Sequence, residues 1–273
     1  MNNIFFTGAS GYSGSKISKY LLSKKCKVFS IYKKTKIKKK NSIKINLLNT
    51  IKVKQNFHTV IHAASHHRIN DFKRKPQLKK KNNIDMTKNL INFCLKKKIK
   101  KLIFFSTIDL NYSPYPQRKF DYINSKRTSE KLLHKAFKDK KIDNLFFLRL
   151  PAIIDKNSTK NFISDTLNSL KKNKKITIWN HNKLYNNFIH INDLSKLIYF
   201  LIKNEKKRTF KKIDCKCNKP IKLNYLINYL KKKVRSKSQI IIKKKLDKIF
   251  KVKNNKRYKY KFLDTKKAID LMI

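Results

Sequence analysis

Glycine is nearly absent from this chain, whose 273 residues include only Gly8, Gly11 and Gly14. A chain of this length with average composition would contain about 19 glycines. All three lie in the segment TGASGYSG. The shortage excludes collagen-like and glycine-rich low-complexity chains. It also makes the three positions informative, because a glycine retained under such depletion indicates a requirement of the backbone.

Acidic residues are also scarce, with 15 Asp and Glu against 71 Lys and Arg, which gives a formal net charge of +56. Of the basic residues, 8 are arginines and 63 are lysines. Arginine recognises phosphates and base edges better than lysine, so a chain selected to bind nucleic acid would contain more of it. The abundant Lys, Asn, Ile and Phe have A/T-rich codons. We therefore interpret the charge mainly as codon bias, with non-specific attraction of polyanions as its consequence.

The chain has few cysteines and no long apolar segment. The cysteines, too few and too scattered for a disulfide framework, are Cys26, Cys94, Cys215 and Cys217. Neither Cys215-x-Cys217 nor the cluster His66-His67-Arg68 has further ligands at metal-binding spacing, so we expect no metal site. No apolar run approaches the roughly 20 residues of a membrane span, and the N-terminus lacks the pattern of a signal peptide. These features predict a cytoplasmic protein with free thiols.

Short apolar segments alternate with amphipathic ones in the first half of the chain. The predicted strands are Asn3–Phe6, Lys27–Tyr32, Thr59–His62, Lys101–Phe105 and Asn144–Leu148. The predicted helices between them are Ser15–Ser23, Asn83–Leu95 and Asn124–Phe137. This alternation predicts an α/β fold with a Rossmann-type, doubly wound parallel sheet, whose ligands bind at the carboxyl ends of the strands. We interpret the lysine-rich stretch Lys33–Lys44 as a solvated loop.

The pattern loosens after Pro151. Helices are predicted at Asn161–Leu170, Asp193–Ile202 and Leu223–Val234, with strands at Lys175–Trp179 and Gln239–Ile242. We therefore divide the chain into a Rossmann domain of residues 1–150 and a smaller C-terminal lobe of residues 151–273, interleaved with the first domain.

The three glycines follow the first predicted strand directly and precede a predicted helix, with the spacing Gly8-x-x-Gly11-x-x-Gly14. A dinucleotide-binding loop must turn sharply, bring backbone N–H groups close to a pyrophosphate and pack its helix tightly on the sheet. Each of these steps favours a residue without a Cβ atom. The segment therefore predicts a dinucleotide-binding loop.

The segment TGASGYSG resembles the T-G-x-x-G-x-x-G fingerprint of the extended short-chain dehydrogenases/reductases, the NAD-dependent epimerase/dehydratase family. Seven further segments resemble motifs of this family in the same order: Thr59–Ala64, Asn83–Leu90, Phe105–Leu110, Tyr122–Lys126, Arg149–Pro151, Phe188–Leu194 and Leu263–Ala268. The resemblance covers nearly the whole chain. In two places the sequence departs from the motifs, because Met86 replaces a glycine and Asn111-Tyr112 stands where Tyr-Gly is usual.

The resemblance implies an NAD or NADP cofactor. The residues that it implies for cofactor binding are Gly8, Ser10, Gly11, Tyr12, Gly14, Lys33, Asn46, Leu47, Ala63, Ala64, Ser106, Tyr122, Lys126 and Pro151. An NAD site usually has an acidic residue about 20 residues after the glycines, whereas the second strand here ends in Tyr32-Lys33-Lys34. A 2′-phosphate would suit either lysine, so the sequence slightly favours NADP. Asn46-Leu47 stands where the family usually has Asp-Leu beside the adenine.

Thr107, Tyr122 and Lys126 are the catalytic candidates. The spacing Tyr-x-x-x-Lys alone carries little information, since seven of the 12 tyrosines have a lysine four residues later. Tyr122 is distinguished by its place in the order of motifs. A tyrosine with its ordinary pKa near 10 must be tuned for proton transfer, and Lys126, one helical turn away, would favour the phenolate. Thr107 would bind the substrate oxygen, with Ser106 as the alternative donor.

The resemblance implies an epimerase or a reductase that acts on a nucleotide-activated sugar. Ile108 stands where the T-D-E motif of sugar 4,6-dehydratases has its Asp, which argues against a dehydratase although Asp109 matches the Glu. The alternative is a non-catalytic dinucleotide-binding protein of the same fold that binds RNA or another polyanion. The sequence leaves open the sugar, the choice between NAD and NADP, and a homodimer. We interpret Arg149 as structural or as a ligand of a substrate phosphate, and His190 as structural.

Overall fold

The computed structural model describes residues 3–33, 41–66, 75–113, 119–158, 161–204, 208–243, 251–252 and 260–273. The helices in these ranges are α1 (Tyr12–Ser23), α2 (Pro76–Lys96), α3 (Phe120–Lys138), α4 (Phe162–Lys171), α5 (Ile191–Lys203), α6 (Leu223–Lys233) and α7 (Thr265–Asp270). The strands are β1 (Asn3–Thr7), β2 (Lys27–Tyr32), β3 (Ser42–Lys44), β4 (Thr59–His62), β5 (Lys101–Thr107), β6 (Tyr112–Ser113), β7 (Asn144–Leu150), β8 (Ala152–Ile154), β9 (Ile176–Trp179), β10 (Leu184–Tyr185), β11 (Phe188–His190), β12 (Thr209–Asp214), β13 (Ile221–Lys222), β14 (Ile240–Lys243) and β15 (Lys251–Val252).

The chain forms two compact units. The first contains the described residues of Met1–Arg149, Ser195–Asp214 and Lys251–Tyr258, and the second those of Leu150–Leu194, Cys215–Phe250 and Lys259–Ile273. In the first unit, a seven-stranded sheet has the order β12-β7-β5-β4-β1-β2-β3. Strands β1, β2 and β4 pair in parallel, with Ile4 opposite Val28 and Thr59. The Rossmann-type parallel sheet predicted from the sequence is confirmed.

The central strands are apolar because helices cover both faces of the sheet. Every residue of β4 and β5 is buried. An aromatic cluster fills one side of the sheet, where the ring of Phe5 lies 5.2 Å from that of Phe57 and 4.7 Å from that of Phe93. The packed sheet holds the loops at the strand ends in place.

Two edge strands were not predicted from the sequence. Ser42–Lys44 forms β3 beside β2, so the interpretation of Lys33–Lys44 as a loop is wrong for these three residues, and residues 34–40 lie outside the described ranges. Thr209–Asp214 forms β12 beside β7. Both carry lysines, because an edge strand buries less of its surface than a central one and charge there discourages further pairing.

Three helices begin before their apolar pattern does. Helix α1 begins at Tyr12, α2 at Pro76 and α3 at Phe120. Their first turns are polar or face solvent, so hydrophobic periodicity does not reveal them. Strand β5 also extends through Ser106 and Thr107, which places both hydroxyls inside the sheet rather than after it.

Five helices end in the same backbone motif without glycine. The residue after each C-cap has a positive φ, and these residues are Lys25 (59°), Lys98 (50°), Lys140 (58°), Asn173 (51°) and Arg235 (51°). At the end of α2, Lys98 N donates to Leu95 O at 3.1 Å and Ile99 N donates to Cys94 O at 2.9 Å. This pair of bonds is the Schellman motif, which usually has glycine at the residue with positive φ.

The second unit has its own core. Strand β8 pairs in parallel with β11, β9 in parallel with β14, and β10 antiparallel to β13. Helices α4, α6 and α7 contribute Leu167, Leu226 and Ile269 to one buried cluster. Asp193 binds the C-terminal segment, since its carboxylate accepts from Leu263 N at 2.8 Å and from the Tyr260 hydroxyl at 3.1 Å. None of the helices in the described ranges is long and apolar enough to cross a membrane.

Candidate cofactor and catalytic site

The glycine loop connects β1 to α1 and leaves no room for side chains at two of its positions. Gly8 has a φ of +77°, and a Cβ atom there would lie 2.7 Å from Ala64 N. A Cβ on Gly14 would lie 2.1 Å from Gly8 O, which is far inside van der Waals contact. At Gly11 the nearest atom, Gly8 O, would be 3.3 Å away. Gly8 and Gly14 are therefore required by the loop itself.

The amino end of α1 fits an anionic group. Gly11 is its N-cap and supplies no side-chain cap, and the first turn contains no acidic residue. The positive end of the helix dipole and its first N–H groups favour a phosphate at such a position. Ser10 and Tyr12 are exposed beside it, with the Lys16 ammonium 5.1 Å from the centre of the Tyr12 ring. The loop thus suits the pyrophosphate of a dinucleotide.

The end of β4 is fixed against the end of β1. Thr7 Oγ1 lies 2.8 Å from His62 Nδ1 and accepts from Ala64 N at 3.3 Å, and Ala63 N donates to Thr7 O at 3.2 Å. Burial, with a smaller contribution from the charge of Lys126, lowers the pKa of His62 to about 3. A neutral histidine therefore supports this part of the site. Sequence reasoning missed it, because a histidine within an apolar strand gives no distinctive signal.

The residues expected near the adenosine differ in exposure. Lys33 is exposed just after β2, while Lys34 lies outside the described ranges. Asn46 Oδ1 accepts from Leu48 N at 3.3 Å, which shapes the following turn. The Leu47 side chain is in the core, and its carbonyl accepts from Asn89 Nδ2 at 3.0 Å.

Ser106 and Thr107 end β5, and both are buried. Ser106 Oγ donates to Glu130 Oε1 at 2.6 Å, so its only proton is already used. Thr107 Oγ1 shares a hydrogen bond with the Tyr122 phenol. Of the two candidate donors, Thr107 is therefore the one in contact with Tyr122.

Tyr122 and Lys126 lie one turn apart on α3, which begins at Phe120. Lys126 Nζ donates to Phe105 O at 2.8 Å and lies 5.9 Å from the centre of the Tyr122 ring. The structure thus brings Thr107, Tyr122 and Lys126 together at the carboxyl end of β5. Pro151 belongs to the second unit, where it separates β7 from β8.

Burial is the largest influence on the pKa values of Tyr122 and Lys126. It raises the pKa of Tyr122, the charge of Asp109 raises that pKa further, and the hydrogen bond with Thr107 opposes both effects. Burial also lowers the pKa of Lys126 to about 7, although Glu130 acts in the opposite direction. In this state the phenol form of Tyr122 is therefore favoured.

Glu130 and Arg149 form a buried ion pair behind the site. Arg149 donates to the two carboxylate oxygens of Glu130 at 3.1 and 2.7 Å and to Asn111 Oδ1 at 2.6 Å. This bidentate geometry is strong and directional, and it supports the structural interpretation of Arg149. Sequence reasoning missed Glu130, although an acid four residues after Lys126 stands out in a chain with so few.

A ladder of hydrogen bonds joins α2 to α3. Asn83 Nδ2 donates to Ser125 Oγ at 3.1 Å, and Thr87 Oγ1 lies 3.0 Å from Ser129 Oγ. Asn83 also binds the backbone of His66 through both ends of its amide, at 2.8 and 3.0 Å. It therefore fixes the loop after β4 relative to the helix that carries Tyr122.

No group of three or more His, Cys, Asp and Glu side chains in the described ranges is arranged to hold a metal ion. Of the cluster His66-His67-Arg68, only His66 lies within those ranges.

Together, the parallel sheet and the glycine loop at its carboxyl edge define a nucleotide-binding protein of the Rossmann type. More particularly, the chain belongs to the NAD-dependent epimerase/dehydratase family, whose model matches residues 4–213. A search of curated proteins returns no match.

Solved structures share the fold at low identity. The UDP-glucuronic acid 4-epimerase from Bacillus cereus in complex with NAD has a TM-score of 0.72 at 20% identity, with 99% of this chain and 92% of that chain covered. The UDP-glucose 4-epimerase from Thermotoga maritima, with UDP-glucose, has a TM-score of 0.69 at 17% identity, with coverages of 98% and 91%. RMD from Pseudomonas aeruginosa, complexed with NADPH, has a TM-score of 0.69 at 14% identity, with coverages of 100% and 92%.

Proposed function

We propose that this chain is an NAD(P)-dependent epimerase or reductase of a nucleotide-activated sugar, with Tyr122 as its acid/base. The observation that carries this proposal is the meeting of Thr107, Tyr122 and Lys126 at the carboxyl end of β5. The sheet order places β4 alone between β5 and β1, the strand that leads into the glycine loop. The three candidate catalytic side chains and the glycine loop therefore lie at the same edge of the sheet, where ligands of such folds bind.

The cofactor would bind along that edge. The amino end of α1 would hold its pyrophosphate, with Gly8, Ser10, Gly11, Tyr12 and Gly14 forming the loop. Ala63 and Ala64 would lie beside it. Exposed Lys33 would suit a 2′-phosphate, which favours NADP slightly over NAD. A bound nicotinamide dinucleotide would supply the hydride acceptor or donor.

Each catalytic side chain has a distinct task in this proposal. Thr107 binds the oxygen on the reacting sugar carbon. Tyr122 removes or returns the proton on that oxygen, which couples proton transfer to hydride transfer. Lys126, held by Phe105 O, provides the positive charge that favours a phenolate once the site is filled.

We assign substrate binding to the C-terminal lobe of residues 151–273. The similar structure of the Thermotoga maritima UDP-glucose 4-epimerase contains UDP-glucose, which supports this substrate class. The family membership supports the reaction type.

A turnover screen tests the proposal. Purified protein would be incubated with a panel of nucleotide sugars and either NAD or NADP, and products would be separated by chromatography. Tyr122→Phe is expected to reduce turnover by about 100-fold or more, the usual contribution of general acid–base catalysis. Cofactor affinity, to which Tyr122 is also expected to contribute, should fall much less than turnover in this variant.

Tyr199→Phe is the matched control. Tyr199 also has a lysine four residues later, and Lys203 Nζ lies 5.9 Å from its ring centre, as Lys126 Nζ does from Tyr122. Turnover should survive this substitution. If no nucleotide sugar is converted and no cofactor binds, the enzymatic proposal fails. Salt-dependent RNA binding that persists in Tyr122→Phe would then support the polyanion alternative.

A further inference from the structure

Asp109 and Lys119 form an ion pair that the proposed reaction does not use. Lys119 Nζ lies 2.9 Å from Asp109 Oδ2. Asp109 belongs to a short 3₁₀ helix, Ile108–Asn111, which follows β5, and Lys119 is the N-cap of α3. The pair therefore joins the segment after Thr107 to the segment before Tyr122.

Asp109 controls the direction of the Thr107 hydroxyl. Thr107 Oγ1 accepts from Asp109 N at 3.2 Å and donates to Asp109 Oδ2 at 3.1 Å. A hydroxyl has one proton, so while Thr107 donates to Asp109 that proton is not available to the Tyr122 oxygen, where a hydrogen bond with Thr107 lowers the pKa of Tyr122. Asp109 therefore competes with the Tyr122 oxygen for the Thr107 proton.

The charge of Asp109 also favours the phenol form of Tyr122. Asp109 raises the pKa of Tyr122 and also that of Tyr112, which follows the 3₁₀ helix. Lys126 faces the phenol from α3 with its ammonium 5.9 Å from the ring centre. Asp121, next to Tyr122 in sequence, is instead paired at 3.9 Å with Lys80 of α2.

We propose that Asp109 is a positioning residue that holds Tyr122 in its phenol form through Thr107, and that Lys119 limits this hold by neutralising the carboxylate. Ionisation of Tyr122 then requires the Thr107 proton to turn from Asp109 towards the phenolate oxygen. The mechanistic meaning of this hold rests on the proposed role of Tyr122. The ion pair and the Thr107–Asp109 hydrogen bonds exist independently of that role.

The proposal predicts opposite effects for the two partners. Asp109→Asn removes the negative charge and should ease ionisation of Tyr122. Lys119→Met leaves the carboxylate uncompensated and should hinder ionisation. A purely structural role for the pair would not produce shifts of opposite sign.

The test is a titration of Tyr122 alone. With 3,5-difluorotyrosine incorporated at position 122, the phenol becomes more acidic and titrates where the fold is intact, and fluorine NMR reports its ionisation. We expect Asp109→Asn to lower the midpoint by about one pH unit, the order expected for a charge removed from a partly screened site. Lys119→Met should raise the midpoint by a comparable or smaller amount.

Asp121→Asn and Lys80→Met are matched controls, because they remove the same charges from the neighbouring pair and do not contact Thr107. Each should shift the midpoint by less than half as much as its counterpart. Shifts of the same sign for Asp109→Asn and Lys119→Met, or shifts no larger than the controls, would overturn the proposal. If Asp109→Asn fails to fold, the sign of the Lys119→Met shift decides alone. The titration needs neither substrate nor cofactor, so its outcome is separate from that of the turnover screen.

Discussion

The glycine loop and the helix ends make different demands on the backbone, and the chain meets them with different residues. At Gly8 and Gly14, a Cβ atom would lie 2.7 Å or less from backbone atoms of neighbouring segments. At the five Schellman ends, the backbone requires a positive φ, and the chain has lysine, asparagine or arginine there. Glycine occupies one kind of position, and residues with side chains occupy the other.

The comparison shows which of the two kinds of glycine position accepts a side chain more easily. A left-handed conformation costs an L residue roughly 1–2 kcal/mol, and hydrogen bonds and packing at a helix end can offset that amount. An overlap between a Cβ atom and backbone cannot be relieved by changing a rotamer, so the segments themselves must move. Under strong depletion, glycine therefore persists where sterics, rather than φ alone, require it.

The largest effect is expected for Gly14→Ala. The added Cβ would overlap Gly8 O, at 2.1 Å, and displace α1 from the glycine loop. We expect a loss of about 3 kcal/mol or more in the free energy of unfolding, with loss of dinucleotide binding. Denaturant unfolding and fluorescence titration with NADPH measure the two effects.

Ser15→Ala, on the exposed side of the same helix, is the control and should change stability by about 0.5 kcal/mol at most. If Gly14→Ala unfolds at the same denaturant concentration as this control, the steric explanation of the retained glycine is wrong.

The same comparison explains how far the site could be predicted. The glycine loop was predictable because glycine is scarce, and Tyr122 because its motif has a fixed place in the family order. Lysine abundance hides the equivalent signal, so Lys126 could be identified by position alone. Glu130 binds Ser106 and Arg149, which lie 24 and 19 residues away in the chain, so tertiary structure alone brings these partners together.

The fold was predictable where strands are buried on both faces. Apolar residues mark these strands, and the bounds of β2 and β4 match the prediction, whereas β1, β5 and β7 continue one or two residues beyond it. Edge strands β3 and β12 carry lysines and give no such run, and their pairing depends on β2 and β7. The beginnings of the helices were hidden because first-turn residues such as Tyr12, Leu78 and Phe120 are exposed and do not continue the apolar face.

One helix end depends on a side chain rather than on the backbone motif. Lys101 is buried at the start of β5, and its ammonium donates to Leu201 O at 3.0 Å and Ile202 O at 2.7 Å, at the end of α5. Lys101→Met would leave these carbonyls without their charged donor. We expect a loss of about 2 kcal/mol, the usual range for hydrogen bonds to charged groups.

The neighbouring Lys100→Met is the matched control, since Lys100 forms an exposed ion pair with Asp143. Exposed pairs contribute about 0–1 kcal/mol. Equal stability losses for the two variants in urea denaturation would contradict a capping role for Lys101.

A substitution at Gly11 distinguishes what the folded loop requires from what binding of the proposed ligand requires. Its φ is −74°, and an added Cβ would come no closer than 3.3 Å to Gly8 O, so the protein alone tolerates a side chain there. We expect Gly11→Ala to reduce stability by about 1 kcal/mol at most and to weaken dinucleotide binding about tenfold, because the backbone N–H groups must approach the pyrophosphate closely. Calorimetric titration with NAD and NADPH, beside denaturant unfolding, measures both. Unchanged binding would mean that Gly11 does not face the cofactor.

The smallest effect is expected at the helix ends themselves, where glycine should improve the protein. Lys98 has a φ of 50° after α2, so Lys98→Gly removes the strain of the left-handed conformation. Glycine also gives the unfolded chain more freedom, and the net gain should be about 0.5–1 kcal/mol. Lys97→Gly, at the C-cap with a φ of −95°, gains nothing from glycine and should lower stability.

Asn173 provides the sharpest form of this comparison. It occupies the same position after α4 with a φ of 51°, but asparagine adopts the left-handed conformation more readily than lysine. Asn173→Gly should therefore gain less stability than Lys98→Gly. Asn173 Oδ1 also accepts from Lys237 N at 2.8 Å, and the loss of that bond reduces the gain further. Thermal unfolding of both variants at one ionic strength tests the order. A larger gain at Asn173 than at Lys98 would show that the strain of the left-handed conformation does not limit stability at these helix ends.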